Sequence, residues 1–294
     1  MRRLRCSRDV DDSSAQCTDD QRVAIMQGPP LKRLQCVALI TRDHTQYFPR
    51  NELKTLLADD GVQLVEGGGH QGVDAVIAMG GDGTVLKALS AYPLSPTLAI
   101  NFGRVGFLTQ GDREDLEPMV KRVLNGEYFI EQRLAIEVSV TSPQAEQRPA
   151  RRCINEVVFK GIAHMNELTL SIDGDSVHTL RGDGIIIGTP TGSTAYLMST
   201  GAPLVTPGVS CIIASPLNEY RFSSRPMILP GEAQLTVNVD HARPRDLMLI
   251  IDGEEPIPLE QGARVSIRRS RHPTLLMAFE PQFFFRNLRE RLNW

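Results

Sequence analysis

The segment Gly80-Gly81-Asp82-Gly83-Thr84 has residue types that could hold a phosphate, and it lies between an apolar run and a helical pattern. Glycines let backbone N–H groups approach an anion closely, and a helix N-terminus adds positive potential. Thr84 can cap such a helix. A glycine-rich turn without a ligand is the simpler alternative. Asp82 argues against that alternative, because a carboxylate beside phosphate repels its ligand unless it handles a proton or a metal ion.

A second polar segment follows an isoleucine-rich strand. Arg181-Gly182-Asp183-Gly184 leads into this strand, and the loop from Gly188 to Tyr196 (GTPTGSTAY) follows it. Four Thr or Ser hydroxyls and one tyrosine lie within nine positions, on a backbone that Pro190 restricts. Such a loop offers hydrogen-bond donors and acceptors to a ligand. The alternative interpretation is a capped strand-to-helix turn with a purely structural role.

A third pair, Asn155-Glu156, begins an apolar strand. A carboxamide and a carboxylate together donate and accept hydrogen bonds, which suits ribose hydroxyls or an exocyclic amine. An exposed strand end explains the pair equally well. Asp252, followed by glycine, predicts a hairpin turn. Taken alone, His164 and Cys153 are better interpreted as packing or surface residues than as ligands.

Together, these motifs resemble the NAD kinase family in order and spacing: GGDGT after a strand, then Asn-Glu, then DGIIIGTPTGSTAY. The resemblance extends from Leu34 to Trp294 and includes Arg225-Pro226 and a C-terminal Leu-Arg-x-x-Leu-x-Trp. The TPTGSTAY string is highly specific, whereas GGDGT also occurs in diacylglycerol and sphingoid lipid kinases of similar fold. The sequence lacks the Walker G-x-x-x-x-G-K-[ST] motif and the Rossmann G-x-G-x-x-G motif, which agrees with another way of holding phosphate.

The resemblance implies an ATP-dependent NAD kinase. Such an enzyme transfers the γ-phosphoryl of ATP to the 2′-hydroxyl of the adenosine ribose of NAD, with a divalent metal ion (Mg²⁺) bridging the donor phosphates. It implies Asp82 as the proton acceptor and assigns no side chain as a metal ligand. The nucleotide-binding positions that it implies are Gly80, Gly81, Asp82, Gly83, Thr84, Asn155, Glu156, His164, Arg181, Asp183, Thr194, Ala195, Tyr196, Leu197, Met198, Ser199 and Glu254.

The chain departs from the family pattern at four places. Asn101-Phe102-Gly103 stands where Asn-Arg-Gly is usual, and Gly201-Ala202-Pro203 where Gly-Gly-Pro is usual. The segment from Pro216 to Arg221 replaces Pro-His-Ser-Leu, and Glu254 stands where many bacterial relatives carry glutamine. None of these changes removes a chemical group that the transfer needs.

Other function classes fit less well. A lipid kinase would need an apolar cavity, and the TPTGSTAY loop is too polar for one. A non-enzymatic dinucleotide sensor would tolerate loss of the base, but Asp82 is present. The balance of 32 basic and 35 acidic residues lacks the footprint of a nucleic-acid binder, and no apolar run approaches a bilayer span of about 20 residues. We therefore expect neither nucleic-acid nor membrane partners.

Cysteine usage predicts a cellular compartment. Five scattered cysteines without a C-x-x-C pair favour a reducing cytoplasm over a disulfide-bonded secreted fold. The resemblance additionally implies a homo-oligomer, either a dimer or a tetramer.

The elements that must position these motifs follow two patterns. From Leu34, strands at 36–40, 62–65, 74–79 and 97–101 alternate with helices at 51–58 and 84–91, which predicts an α/β domain with an open, mostly parallel sheet. After Arg133, short strands separated by turns predict a mainly-β domain. The predicted units are a disordered tail (1–33), the α/β domain carrying GGDGT (34–133), a mainly-β dinucleotide-binding domain (134–276) and a C-terminal helical segment (277–294). The site is expected in the cleft between the two domains.

Overall fold

The computed structural model describes residues 33–42, 49–103, 106–143, 148–221, 224–280 and 283–292. The predicted tail, apart from Arg33, lies outside these residues.

The first layer is a six-stranded sheet in the order β2-β1-β3-β4-β18-β5. The strands from β2 to β18 pair in parallel, and β5 pairs antiparallel with β18 at the edge. Every residue of β3 is buried, as expected for a parallel strand covered on both faces. The strands are β1 (Cys36–Thr41), β2 (Gln63–Glu66), β3 (Ala75–Met79), β4 (Thr97–Ile100), β5 (Phe129–Arg133) and β18 (Thr274–Ala278).

Helices cover both faces of this sheet. The helices are α1 (Arg50–Asp59), α2 (Asp82–Ala91) and α3 (Leu116–Leu124). α1 and α3 bury their apolar stripes in one core, to which alternate residues of β3 such as Ile77 contribute. α2 packs in the opposite core with Val76 and Ala78. This alternation follows from the period of two along a strand. The start of α2 lies at the carboxyl end of β3, because only two residues separate the two elements.

The second layer is a sandwich of two six-stranded antiparallel sheets, β10-β9-β14-β17-β6-β7 and β13-β12-β11-β8-β15-β16. Their inner faces share one core, in which Phe159 and Val237 are fully buried. Short 3₁₀ turns at Thr191–Thr194 and Tyr196–Thr200 follow β11. The strands are β6 (Ile136–Thr141), β7 (Arg151–Cys153), β8 (Glu156–Gly161), β9 (Asn166–Ile172), β10 (Asp175–Gly182), β11 (Gly184–Gly188), β12 (Cys211–Leu217), β13 (Met227–Pro230), β14 (Leu235–His241), β15 (Leu247–Ile251), β16 (Ile257–Leu259) and β17 (Arg264–Arg269).

The predicted fold class is confirmed in outline: an α/β region with a mixed sheet, a mainly-β region and a C-terminal helix, α4 (Phe283–Leu292). Several short strands, such as β5, β12 and β18, were not predicted, and the position of β18 is the most consequential. β18 follows the sandwich in the chain, yet it lies between β4 and β5 in the first sheet. The first layer is therefore built from both ends of the described chain. No helix in the described part of the chain is long and apolar enough to cross a membrane.

Candidate functional site

The glycine-rich turn joins the buried strand β3 to α2. Gly80 has a φ of +157°, and a Cβ atom there would overlap the Thr84 side chain, so the position requires glycine. Gly81 is the N-cap of α2, which has no side-chain cap, so the predicted capping by Thr84 is wrong. The N–H groups of Thr84 and Val85 donate to the Gly81 carbonyl, which leaves those of Asp82 and Gly83 at the helix start. Such a helix start can accept an anion.

The Asp82 carboxylate is held by the loop that follows β4. Its Oδ2 accepts the N–H of Phe107 at 2.7 Å, and its Oδ1 accepts the N–H of Leu108 at 3.0 Å. A Cβ atom on Gly106 would overlap the same carboxylate, so the backbone can approach only at glycine. A carboxylate has about four acceptor positions. Asp82 can therefore accept a further hydrogen bond while the loop fixes its orientation.

The Asn155-Glu156 turn, between β7 and β8, is organised by Asp252. The Asp252 carboxylate accepts the backbone N–H groups of Ile154 and Asn155, both at 2.7 Å, and that of Glu156 at 3.3 Å. Asp252 lies in the predicted turn, between the antiparallel strands β15 and β16. Sequence reasoning found this turn but missed the carboxylate, which brings β15 to the start of β8.

Burial changes the charge of Glu156. Its side chain is buried, and its Oε2 has no hydrogen-bond partner among the described residues. Burial, reinforced by the negative charge of Asp252, raises the pKa of Glu156 from 4.5 to about 8, although the backbone N–H of Tyr196 opposes the shift. Burial also raises the pKa of Asp252, against the effect of its N–H donors. At neutral pH the Glu156 carboxyl is therefore mostly protonated and can donate as well as accept a hydrogen bond.

The polar loop after β11 packs on the Asn155-Glu156 turn. β11 pairs with β8 so that Gly188 lies opposite Glu156. The N–H of Thr189 donates to the Asn155 carbonyl at 2.9 Å, and the Thr189 hydroxyl donates to the Ile154 carbonyl at 2.5 Å. A Cβ atom on Gly192 would overlap the Asn155 backbone. These contacts fix the loop against the turn.

Several side chains that were predicted to bind the nucleotide instead make contacts within the loop or its core. The Thr194 hydroxyl donates to the Thr191 carbonyl at 3.2 Å, and the Ser199 hydroxyl donates to the Tyr196 carbonyl at 2.8 Å. Leu197 is fully buried in an apolar core of the sandwich. Ala195 is half-buried, whereas Tyr196, Met198 and Ser199 are exposed beside it.

A cavity of about 420 Å³ lies between the α/β layer and the sandwich. Gly81, Gly83 and Thr84 line one side, and Asp252, Gly253 and Glu254 line the other. Glu254 forms an ion pair with Arg151 of β7. Two basic residues, Arg42 and Lys87, also line the cavity. The cavity thus combines helix-start N–H groups and two cations, which can bind a polyphosphate, with the carboxylates of Asp252 and Glu254.

Three predicted positions lie at the other end of the sandwich. They lie beyond the far end of β8, which begins at Glu156 and is about 17 Å long at about 3.3 Å per residue. His164 Nδ1 lies 3.4 Å from the Asp246 carboxylate, and the Arg181 Nε donates to Glu167 at 2.6 Å. Asp183 accepts a hydrogen bond from Asn218 at 2.8 Å. A single chain therefore does not bring His164, Arg181 and Asp183 to the cavity.

Four features of this site were missed by sequence reasoning. Lys87 lies one helical turn after Gly83, and Arg42 directly follows a parallel strand, so spacing alone could have identified both. The carboxylate of Asp252 and the approach of Gly106 to Asp82 depend on contacts distant in the chain, and no local pattern indicates them.

Comparisons with known proteins match one family over most of the chain. The family model described as "ATP-NAD kinase N-terminal domain" matches residues 29–128, and "ATP-NAD kinase C-terminal domain" matches residues 154–279. The NAD kinase of Gemmatimonas aurantiaca is 32% identical over 242 residues, which is 81% of this chain and 82% of that protein. The NAD kinase of Moorella thermoacetica is 36% identical over 224 residues, 75% of this chain and 71% of that protein.

Solved structures are similar as well. An NAD kinase from Archaeoglobus fulgidus in complex with ATP has a TM-score of 0.72 and 25% identity, over 88% of this chain and 99% of that chain. Yeast NADH kinase complexed with NADH has a TM-score of 0.81 over 92% of this chain and 93% of that chain. At 21% identity, this second likeness concerns the fold.

Proposed function

The chain belongs to the NAD kinase family, and we propose that it transfers the γ-phosphoryl of ATP to the 2′-hydroxyl of the adenosine ribose of NAD, with Asp82 as the proton acceptor. The products are NADP and ADP. The observation that carries this assignment is the Asp82 carboxylate, which two backbone N–H groups orient at the start of α2, beside the cavity that Arg42 and Lys87 help to line.

The donor phosphates are proposed to bind at the start of α2. The N–H groups there, together with Arg42 and Lys87, supply positive potential for the ATP phosphates. Within the described ranges, no group of three or more His, Cys, Asp or Glu side chains could hold a metal ion. A divalent ion that enters with the substrate would neutralise part of the charge of the ATP phosphates.

The dinucleotide is proposed to bind where the Asn155-Glu156 turn meets the segment Thr194–Ser199. The carboxamide of Asn155 and the protonated carboxyl of Glu156 can donate to and accept from ribose hydroxyls. Asp252 supports this interaction indirectly, because its carboxylate fixes the backbone of the turn. Glu254 is proposed to border the site through its ion pair with Arg151.

Asp82 is the residue on which the chemistry depends. In phosphoryl transfer the protein mainly positions the reactants and neutralises developing charge. As the ribose oxygen forms its bond to the γ-phosphorus, its proton moves to the Asp82 carboxylate, and ADP leaves. General-base assistance of this kind contributes about 10²–10⁴-fold to the rate.

The Asp82→Asn substitution tests this role. It removes the proton acceptor, so kcat should fall by on the order of 10² or more, while calorimetric titration should still detect NAD binding. The asparagine NH₂ group would also face one of the two loop N–H donors, costing about 1–3 kcal/mol of stability, so the melting temperature is measured alongside.

Asp59→Asn is the matched control, because Asp59 is exposed at the end of α1. Its kcat should equal that of the wild type. Turnover of Asp82→Asn near the wild-type rate would show that Asp82 is not the base. An unfolded Asp82→Asn variant would show that the residue is structural.

We also propose that the protein is a homo-oligomer, a dimer or a tetramer, in the cytoplasm. An assembly could bring His164, Arg181 and Asp183 of one copy to the dinucleotide bound by another, which a single chain does not do. Cys36, Cys153 and Cys211 are free thiols among the described residues, which agrees with a reducing compartment.

A further inference from the structure

The C-terminal helix α4 contacts the loop that holds the catalytic carboxylate. The helix buries Phe283 and Leu288 as its apolar anchors. Asn287, also buried, donates from Nδ2 to the Phe107 carbonyl at 3.3 Å. One turn later, the Arg291 guanidinium lies 4.9 Å from the centroid of the Phe107 ring. Two polar side chains of α4 therefore hold the same loop residue.

Phe107 joins this helix to the reaction centre. Its carbonyl and its ring face α4, and its N–H donates to Asp82 Oδ2 at 2.7 Å. Burial lowers the pKa of the Arg291 guanidinium, and the negative charges of Asp82 and Asp112 oppose this shift. The charge of Arg291 therefore interacts favourably with Asp82. A displacement of Phe107 would therefore change both the orientation and the electrostatic surroundings of the Asp82 carboxylate.

We propose that α4 is a positioning element for phosphoryl transfer, in which Asn287 and Arg291 hold Phe107 so that its N–H keeps the Asp82 carboxylate directed at the acceptor hydroxyl. This inference rests on the proposed role of Asp82 as the base. The apolar anchors of α4 are distinct from these polar contacts, so the polar contacts can be changed while the helix stays packed. Arg291 and Asn287 are positioning residues, since neither touches a reacting atom.

The test compares three substitutions in the full-length protein. Arg291→Met removes the charge but keeps the length of the side chain, and kcat should fall about tenfold while the KM values for NAD and ATP stay within twofold. Arg291→Lys keeps a cation over the ring and should recover kcat to within threefold of the wild type. Arg289→Met, an exposed position in the same last turn, is the matched control and should leave kcat unchanged.

Phe107→Leu provides an independent variant, because it keeps the N–H donor and removes the ring. It should lower kcat to a similar extent, and combining it with Arg291→Met should give no further loss, since both remove one interaction. If Arg291→Met fails to fold, the kcat of Phe107→Leu alone tests the proposal. Phe107→Leu with wild-type kcat would then overturn the proposal.

Two other outcomes would also overturn it. In the first, Arg291→Met loses thermal stability but keeps kcat, so the helix is merely structural. In the second, it raises a KM and keeps kcat, so Arg291 acts in binding. The Asp82→Asn background separates this inference from the proposed function: Arg291→Met should lower kcat no further there. If Asp82→Asn alone is fully active, the base assignment fails instead.

Discussion

At the scale of single residues, Glu156 combines burial with a position beside the proposed acceptor site. Asp252 lies 96 residues later in the sequence, yet its carboxylate accepts the N–H of Glu156 and adds negative charge near it. A protonated Glu156 can donate a hydrogen bond to a ribose oxygen, which an ionised carboxylate cannot do. The sequence predicted Glu156 as a nucleotide-binding position, which stays a prediction. It could not predict the protonation, because the partner and the burial come from another strand.

The raised pKa of Glu156 predicts a dependence of stability on pH. Between pH 4.5 and about 8 the unfolded carboxyl is ionised while the folded one stays protonated, so the folded state binds more protons. The free energy of unfolding therefore falls as pH rises through this range and levels off above it. Glu156→Gln removes this titration. We expect the variant to match the wild type near pH 4.5 and to exceed its stability by roughly 2–4 kcal/mol at pH 8.5.

Urea unfolding of both proteins at several pH values measures the difference. Glu260→Gln, at an exposed position, is the control and should shift the whole curve by a constant small amount. A stability difference between Glu156→Gln and the wild type that stays constant from pH 4.5 to 8.5 would contradict the assignment.

At the scale of elements, the loop between β4 and α3 orients the Asp82 carboxylate, a role that sequence reasoning missed. Alternating strands and helices in the first layer could be predicted from periodicity, because each apolar stripe reports a local preference. The same reasoning placed the cap of α2 on Thr84, whereas Gly81 holds that position. The approach of Gly106 to Asp82, across 24 residues, leaves no local pattern in the sequence.

Gly106→Ala tests the loop directly. The added Cβ would overlap the Asp82 carboxylate, so either the carboxylate or the loop must move. We expect kcat to fall about tenfold or more, since misplacement of a catalytic group by about 1 Å can cost on the order of 10²-fold. The KM values for both substrates should change much less. Steady-state kinetics with each substrate varied in turn measures this split.

Gly103→Ala is the matched control, because a Cβ there meets nothing within 4 Å. It should retain wild-type kcat. Equal kcat for the two alanine variants would mean that the backbone at 106 can relax without moving Asp82.

At the scale of the whole molecule, the chain crosses between the two layers more than once. The predicted units 34–133 and 134–276 remain our proposed division, with β18 as an exception, because it crosses the end of the second range at residue 276 but belongs to the first sheet. A short apolar strand carries no signal for the sheet that it joins, so its placement could not be predicted. Its return fixes the first layer against the sandwich and brings α4 to the loop that holds Asp82.

Arg152 is a second link between the layers. It belongs to β7 of the sandwich, but its guanidinium donates to the carbonyls of Leu89 and Pro93, at 3.2 and 3.4 Å, near the C-terminus of α2. It also donates to the Thr274 hydroxyl of β18 at 3.0 Å. A cation at a helix C-terminus complements its dipole, and hydrogen bonds from charged donors contribute about 1.5–3 kcal/mol each.

Replacing Arg152 should therefore weaken the attachment of the sandwich to the α/β layer. Arg152→Met leaves the carbonyls of Leu89 and Pro93 without this donor, and we expect the free energy of unfolding to fall by about 3 kcal/mol. Arg268→Met is the control on the same sheet, because the Arg268 side chain, which pairs with Glu137, is 59% exposed, and its loss should cost about 1 kcal/mol or less. Chemical unfolding followed by circular dichroism measures both. Since the glycine-rich turn that joins β3 to α2 and the Asn155-Glu156 turn lie on opposite layers, Arg152→Met should also lower kcat/KM for both substrates severalfold, whereas Arg268→Met should not. If the two variants are equally stable, Arg152 does not hold the layers together, and the return of β18 must be sufficient to do so.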